Sequence, residues 1–515
     1  MCGIFSLFFS SNVVNKQKYA LIFDKALKLI EKRGPDVCTK VINDDYLSGF
    51  QRLAINDLSE SGNQPMYSDD KSIFLMCNGE IFNYEDLQKT HDLTLTSKSD
   101  CEIILRLYEK NLLDVAKLNG DFAFVIYDYK KRLITLSRDR IGIRPLFYGF
   151  AHDHSFAVSS EIKALYFCNS DRIYHVPPSH VVSFDLMKEH VEQNPYYDLT
   201  LSIPLFYKNY DLKTLLINAT RKRLLSDRPI GCLLSGGLDS SIICAILCQL
   251  LGPKNVRTYS IGMEGSLDLH YARKVADFLG TEHHEVLFTA EEGINEIPEV
   301  VFHLESYDIT TVRASVGMYL LGKYISKHTK DKVIFSGEGS DELFCGYLYF
   351  HYAPTPLDAH NESLRLISDL YKYDALRADR CISSHGLELR VPFLDPDVIE
   401  YAKSLPGEKK APNGDIEKKA LRDAFRGMLP NDVLFRRKDG FSDGVSGKIK
   451  PWYECIRDHL GDKLNSTQKE GIWYKELYDK DYSYFSKPID YYWMPKWIEC
   501  GGNPSGRVLK VFDEE

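Results

Sequence analysis

The run Ser235-Gly236-Gly237-Leu238-Asp239-Ser240-Ser241 constrains the fold more than any other stretch. It lies between an apolar run ending in Cys232-Leu233-Leu234 and the apolar series Ile242, Ile243, Ala245, Ile246 and Leu247. That order predicts a buried strand, a glycine turn and a helix. Two adjacent glycines let a backbone approach a ligand closely, and the hydroxyls and unpaired amides at a helix start offer donors to an anion. Phosphate is the expected guest. A bare Ser/Gly run would by itself read as a plain turn, but Asp239 argues otherwise. A carboxylate beside a phosphate cradle repels the anion unless a divalent cation lies between them, so the pair points to a nucleotide with Mg²⁺. No Gly-x-x-x-x-Gly-Lys-Ser/Thr run occurs, which excludes the P-loop.

Around this loop the pattern alternates. Strands are expected at Ile230, 258–261, 285–288 and 333–335, separated by helices over 212–225, the stretch ending at Leu251, 268–279, 296–304 and 314–328. Strands separated by helices mean a parallel sheet, whose ligands bind beyond the carboxyl ends of the strands. A second glycine and carboxylate run, Ser336-Gly337-Glu338-Gly339-Ser340-Asp341-Glu342, falls on the same edge. The remainder from about Glu362 reads as helical. Residues 1–200 differ: short β-like runs at 2–9, 46–53, 73–77, 122–127, 133–137, 146–150, 156–159 and 180–184, with helical patterns at 19–32 and 100–110, predict a two-sheet α+β layer. A division near residue 200 follows, giving domains 1–200 and 201–515.

A formal charge of −9 over 515 residues, with no dense Lys/Arg block, leaves no electrostatic footprint for nucleic acid or a membrane surface. Twelve scattered cysteines without a Cys-x-x-Cys pair read as small buried hydrophobes in a reducing compartment, so a cytoplasmic protein is expected. His283-His284 sits on a predicted strand, where successive side chains point to opposite faces, and a structural role is expected for both. The aromatic cluster Tyr347, Tyr349, Phe350 and Tyr352 reads as packing beside the second loop.

Ser235 to Ser241 resembles the pyrophosphatase loop of N-type ATP pyrophosphatases. With Thr258-Tyr259-Ser260-Ile261-Gly262, Tyr307 to Ser315, Ser336 to Glu342, Leu389 to Asp395 and Phe441-Ser442-Asp443-Gly444-Val445, the second half resembles the glutamine-dependent asparagine synthetase family. The resemblance implies that ATP activates the aspartate side-chain carboxylate as an acyl-adenylate, releasing pyrophosphate, and that ammonia then displaces AMP. It implies Asp239 and Asp341 as Mg²⁺ ligands, Ser235, Gly237, Ser240 and Ser336 at the phosphates, Lys438 neutralising the leaving pyrophosphate, and Leu233, Ile261 and Gly337 at the nucleotide. Glu338 would accept a proton from the attacking amine. Thr310 and Arg313 would meet phosphate or substrate carboxylate, with Arg380 and Arg390 as further candidates.

Met1-Cys2-Gly3 can be read without any family. Loss of the initiator methionine would leave a thiol and an α-amine on one residue, and an amine with a pKa of about 7.7–8.0 can serve as a base. An ordinary second-position cysteine is the alternative. Arg33-Gly34-Pro35-Asp36, Gln51-Arg52-Leu53-Ala54-Ile55, Asn78-Gly79-Glu80-Ile81-Phe82-Asn83-Tyr84, Ser99-Asp100 and Arg138 to Leu146 resemble the N-terminal-nucleophile glutaminase domain of the same amidotransferases. Carried over, Cys2 attacks the glutamine amide, Asn78 and the Gly79 N–H hold the oxyanion, Arg52 pairs with the glutamine α-carboxylate, and Glu80 and Asp100 with its α-ammonium. Gln51, Ser6, Cys345 and the Asn503 to Arg507 run depart from the family pattern. The substrates implied are aspartate, glutamine or ammonia, and ATP; a homodimer is left open. Two rivals remain: an adenylating ligase with another acyl substrate, as in β-lactam synthetase-like relatives, and a non-catalytic nucleotide-binding descendant.

Overall fold

Every residue of strand Gly3–Phe8 is buried, because a sheet lies against one of its faces and a helix against the other. With a side-chain period of two, Ile4 and Phe8 enter the layer between two sheets, whereas Phe5 and Leu7 pack toward helix Lys16–Leu29. In this computed structural model the described residues are 1–10, 16–200, 210–412, 416–437, 440, 444–447, 450–461, 468–485, 489–498 and 503–505. Among them, one antiparallel sheet runs in the order Cys168–His175, Phe147–Ala151, Phe156–Ser159, Gly3–Phe8, Tyr46–Arg52 and Val37–Ile42. The facing sheet runs His190–Pro195, His180–Asp185, Leu133–Arg138, Gly120–Asp128, Ile73–Ile81 and Met66–Tyr67. Phe50, Phe74, Tyr127, Phe156 and Phe184 fill the space between them.

The expected strands of this half are all present. Strands Val37–Ile42, Met66–Tyr67, Cys168–His175 and His190–Pro195 are additional. All of them are sheet edges, and Cys168–His175 and His190–Pro195 carry too many polar residues to stand out from loops in the sequence.

The second half contains a parallel sheet in the order Glu282–Leu287, Arg257–Gly262, Ile230–Leu233, Val333–Phe335 and Glu388–Arg390. Helix Leu238–Leu251 follows its central strand, as the glycine turn predicts, and buries Cys244 and Cys248 on its core face. Two helices begin earlier than expected. Ala290–Leu304 starts at a Thr289/Glu292 capping box, and Ile309–His328 starts where Asp308 accepts the Thr311 N–H at 2.8 Å. Strand Glu388–Arg390 lies in the stretch expected to be helical: two of its three side chains are charged, and their mutual ion pair at 2.8 Å, with the Arg223 and Leu225 carbonyls on Arg390, lets them be buried.

The halves are locked together over a surface both apolar and ionic. Met1, Leu53, Ile55, Ile141 and Ile143 belong to the same core cluster as Leu233, Leu238 and Ile242. Arg33 donates to Glu161 at 2.8 Å, Asp379 at 2.9 Å and Ser383 at 3.0 Å, and Arg223 reaches Asp121 at 2.9 Å and Asp395 at 2.6 Å. His303 and His385 are buried near this contact, and burial depresses their pKa values from 6.5 to about 2 and about 3. The unfolded chain takes up protons at these rings once the pH drops below 6.5, and the folded chain does not. Their contribution to stability is therefore complete above pH 6.5 and falls away as the pH goes down toward 3. A His303→Gln, His385→Gln double variant is expected to show a shallower fall of the thermal unfolding midpoint between pH 7.5 and pH 5 than the parent, measured by scanning calorimetry.

Candidate active sites

Cys2 stands at the head of the Gly3–Phe8 strand. Its backbone N–H donates to Asn78 Oδ1 at 2.8 Å, and its Sγ lies 3.7 Å from the Leu53 carbonyl. Asn78 is fully buried on strand Ile73–Ile81, and its Nδ2 finds no partner among the described residues. A buried amide donor without a partner costs free energy unless a ligand supplies an acceptor. Gly79 follows at φ 141°, and a Cβ there would stand 2.0 Å from the Asp121 carbonyl, so only glycine fits. Burial pushes the Cys2 thiol up and the Met1 amine down to about 6.

Arg52, Glu80 and Asp100 gather around Asn56, which sequence reasoning missed. The Asn56 Nδ2 donates to Glu80 and, at 3.1 Å, to Asp100, while the Arg52 guanidinium donates to the carbonyls of Asn56, Asp57 and Ser59 and to Asn63 Oδ1. Burial raises the pKa of both carboxyls, and the neighbouring Asp100 charge raises that of Glu80 further. The site therefore favours a cationic guest. Arg52 is committed to its own loop, and a substrate carboxylate would have to share its donors.

In the second half, Leu233, Ser235, Gly237, Asp239, Ser240, Ile261, Thr310, Ser336, Gly337, Glu338 and Asp341 all line one cavity. The two loops touch: a Cβ at Gly337 would lie 2.8 Å from Ser240 N, and Ser340 Oγ donates to Asp239 at 2.7 Å. Within the first loop the Ser235 and Ser240 hydroxyls lie 3.1 Å apart, and Gly237 N donates to Ser235 Oγ at 3.3 Å. Asp239 and Asp341 face one ammonium, that of Lys418, at 2.6 and 2.7 Å. Two carboxylates on one cation position match the donor set that Mg²⁺ takes beside substrate phosphates, so the residues fit that ion. Lys438 lies outside the described residues, as do Phe441 to Asp443 and Gly506.

The arginine expectations need correction. Arg313 does not line the cavity; Thr310 and Ala314 of its helix do. Its Nε and Nη2 are held by Glu470 at 2.7 and 2.6 Å, and Nη1 by Asn503 at 2.8 Å. Arg380 is buried against Glu161 at 3.1 Å and Glu305 at 2.7 Å, and Arg390 against Glu388 and the Arg223 and Leu225 carbonyls. Both belong to the contact between the halves, Arg380 through Glu161 and Arg390 through Glu80 at 3.7 Å.

Arg422, Arg436 and Arg437 do line the cavity, and so does Arg377, one turn before Arg380 on helix Asp374–Ser383. It binds Glu338 at 2.7 Å and Asp374 at 2.8 Å. Burial raises the pKa of Glu338, and the Arg377 charge pulls it partly back. Tyr347, expected as packing, donates to Glu342 at 2.6 Å and Asp374 at 3.1 Å from the cavity wall. The acidic and aromatic residues after Ser336 were the available signal for Glu342 and Tyr347; nothing local marked Arg377.

A thiol beside a buried unpaired amide, joined to a nucleotide-type cavity on a parallel sheet, defines a two-site amidotransferase. The chain matches the glutamine amidotransferase domain family over residues 1–196 and the asparagine synthase family over 211–362 and 353–487. It is 41% identical over 560 aligned positions to asparagine synthetase [glutamine-hydrolyzing] of Cricetulus griseus, spanning 99% of this chain and 98% of that protein. The Homo sapiens protein of the same description gives 41% with the same coverage, and that of Gallus gallus 40% over 563 positions, spanning 99% of each chain. The chain belongs to the family of glutamine-hydrolysing asparagine synthetases.

If Arg313 is structural, Arg313→Met or Glu470→Leu alone strands a buried charge and should cost about 3–5 kcal/mol. The double variant should recover a large part of that in denaturant unfolding.

Proposed function

We propose that Cys2 hydrolyses glutamine in the first half and that Glu338 serves amide formation in the second. The chain is an ATP-dependent ligase for glutamine-dependent asparagine synthesis. The observation that supports the residue assignment best is the convergence of the two glycine and carboxylate loops on one cavity, beside a Glu338 whose pKa burial has raised.

In the first site the Cys2 thiol attacks the amide carbon of glutamine. The partnerless Asn78 Nδ2 and the Gly79 N–H stabilise the oxyanion, ammonia leaves, and water releases glutamate from the thioester. Removal of Met1 would uncover an α-amine already placed 2.8 Å from Asn78 Oδ1, where it can take the thiol proton. Glu80 and Asp100 receive the α-ammonium, and Arg52 the α-carboxylate by sharing donors with its loop.

In the second site ATP adenylates the aspartate side-chain carboxylate. Ser235, Gly237, Ser240 and Ser336 donate to the phosphates, and Leu233, Ile261 and Gly337 border the nucleotide. Asp239 and Asp341 would hold Mg²⁺, which when bound offsets the negative charge on the leaving pyrophosphate. Glu338 takes a proton from the attacking ammonia; a raised pKa makes it a better acceptor, and Arg377 keeps it ionised and oriented. The apolar cluster from Leu53, Ile141 and Ile143 to Leu233 and Leu238 supports a passage for neutral ammonia rather than ammonium. The division between the two functional units falls near residue 200. Among the described residues no helix is long and apolar enough to cross a membrane. The eleven described cysteines are free thiols, and this supports a cytoplasmic location.

Cys2→Ala is expected to abolish glutamine-dependent asparagine formation while sparing the ammonia-dependent reaction; loss of both would end the two-site scheme. Asn78→Ala should lower glutaminase kcat by about 10²–10³, the usual worth of one oxyanion donor. Glu338→Ala should remove amide synthesis and keep glutaminase turnover. In each assay the products to follow are glutamate, asparagine, AMP and pyrophosphate.

A further inference from the structure

Lys418 had no part in the sequence reading, yet two of the cavity's carboxylates, Asp239 and Asp341, converge on its side chain. Its Nζ lies 2.7 and 2.6 Å from the two oxygens of Asp239 and 2.7 Å from Asp341 Oδ1. The side chain is 2% exposed, against 14% for Asp239 and 16% for Asp341. Two backbone features serve this placement. Lys418 caps helix Lys419–Ala424 at φ 57°, in the left-handed region that a non-glycine residue adopts only at a cost. Gly346 leaves the channel through which the lysine reaches: a Cβ there would stand 1.9 Å from Lys418 Cε and 2.3 Å from Asp341 Oδ1.

The charge around the site explains why a cation is held there. Glu338, Glu342 and Asp374 line the same cavity as Asp239 and Asp341. Arg377 serves Glu338 and Asp374, and Tyr347 serves Glu342 and Asp374. The Asp239 and Asp341 pair is served by Lys418. Two like charges this close repel unless a cation spans them, and an uncompensated buried charge is strongly destabilising. The same oxygens are those a divalent ion would take, and one set of lone pairs cannot serve an ammonium and a metal at once.

We propose that Lys418 is a positioning residue that holds the Asp239 and Asp341 carboxylates together before nucleotide enters, and that the divalent cation binds by displacing its ammonium from them. The inference rests on reading Asp239 and Asp341 as the metal ligands. The pair is thus compensated at every stage: by the lysine first, by the metal with its nucleotide afterwards. Exchange of one cation for another spares the protein an uncompensated intermediate. It also makes the metal site weak until phosphate oxygens add to its ligands, so the nucleotide and the metal arrive together.

The test is binding of Mn²⁺ alone to the full, nucleotide-free chain, followed by electron paramagnetic resonance, for the parent, Lys418→Met, Lys418→Arg and Asp341→Asn. Lys418→Met is expected to bind Mn²⁺ at least tenfold more tightly than the parent, and Lys418→Arg close to the parent. A lysine that merely braced the fold would give the opposite sign, a looser site. Equal or weaker binding by Lys418→Met, with Asp341→Asn losing binding, overturns the displacement and leaves the metal reading standing. Parent-like binding by Asp341→Asn ends both. Should Lys418→Met not fold, acylation of the parent enzyme read by mass spectrometry decides: millimolar Mn²⁺ should raise labelling at Lys418 severalfold, and unchanged labelling overturns the proposal.

Discussion

The buried ion network around Arg33 and helix Asp374–Ser383 is the constraint on which the two sites depend. Arg33 links the Cys2 carbonyl at 2.8 Å, Glu161 and Asp379, and Arg380 links Glu161 and Glu305. Desolvating these charges costs several kcal/mol per ion, a cost offset only when each charge meets its partner in good geometry. A helix held by such a network has little freedom to slide or turn. The same ten residues carry Asp374 and Arg377 at their amino end, so what fixes the helix against the glutaminase half also fixes the partner of Glu338 in the synthetase cavity. The backbone at Cys2 and the orientation of Glu338 are set by one element.

Both sites solve a common electrostatic problem in the same way. Each gathers carboxylates away from water and spans them with a donor: Asn56 between Glu80 and Asp100, Arg377 between Glu338 and Asp374, Lys418 between Asp239 and Asp341. The strength of the donor fits the role. A neutral amide leaves the glutamine site negative and ready for an α-ammonium. A guanidinium draws the raised pKa of Glu338 back down, and an ammonium on a flexible stem is the donor most readily exchanged for another cation.

Much of the fold was legible before the structure. The Ser235 to Ser241 turn lies after a central parallel strand, and the second loop meets it at Gly337, as the shared sheet edge required. Edge strands such as His190–Pro195 were not legible, because their side chains face water and carry no hydrophobic period. The arginines divided for a different reason. Arg313, Arg377, Arg380 and Arg390 look alike in a sequence, and the carboxylates that claim three of them lie on other elements. Glu470 stands 157 residues from Arg313, Glu305 stands 75 from Arg380, and Glu338 stands 39 from Arg377.

The sequence by itself determined the chemistry at each loop: glycines where backbone must approach backbone, hydroxyls and carboxylates where phosphate and cation would lie, a thiol paired with an amide-bearing strand. These are local properties, carried by residues within a few positions of one another. Only the tertiary structure decided which basic groups face that chemistry and which are spent on holding the halves together. A charge buried in a protein takes its role from the partner that offsets its desolvation, and that partner is chosen by packing rather than by neighbourhood in the chain.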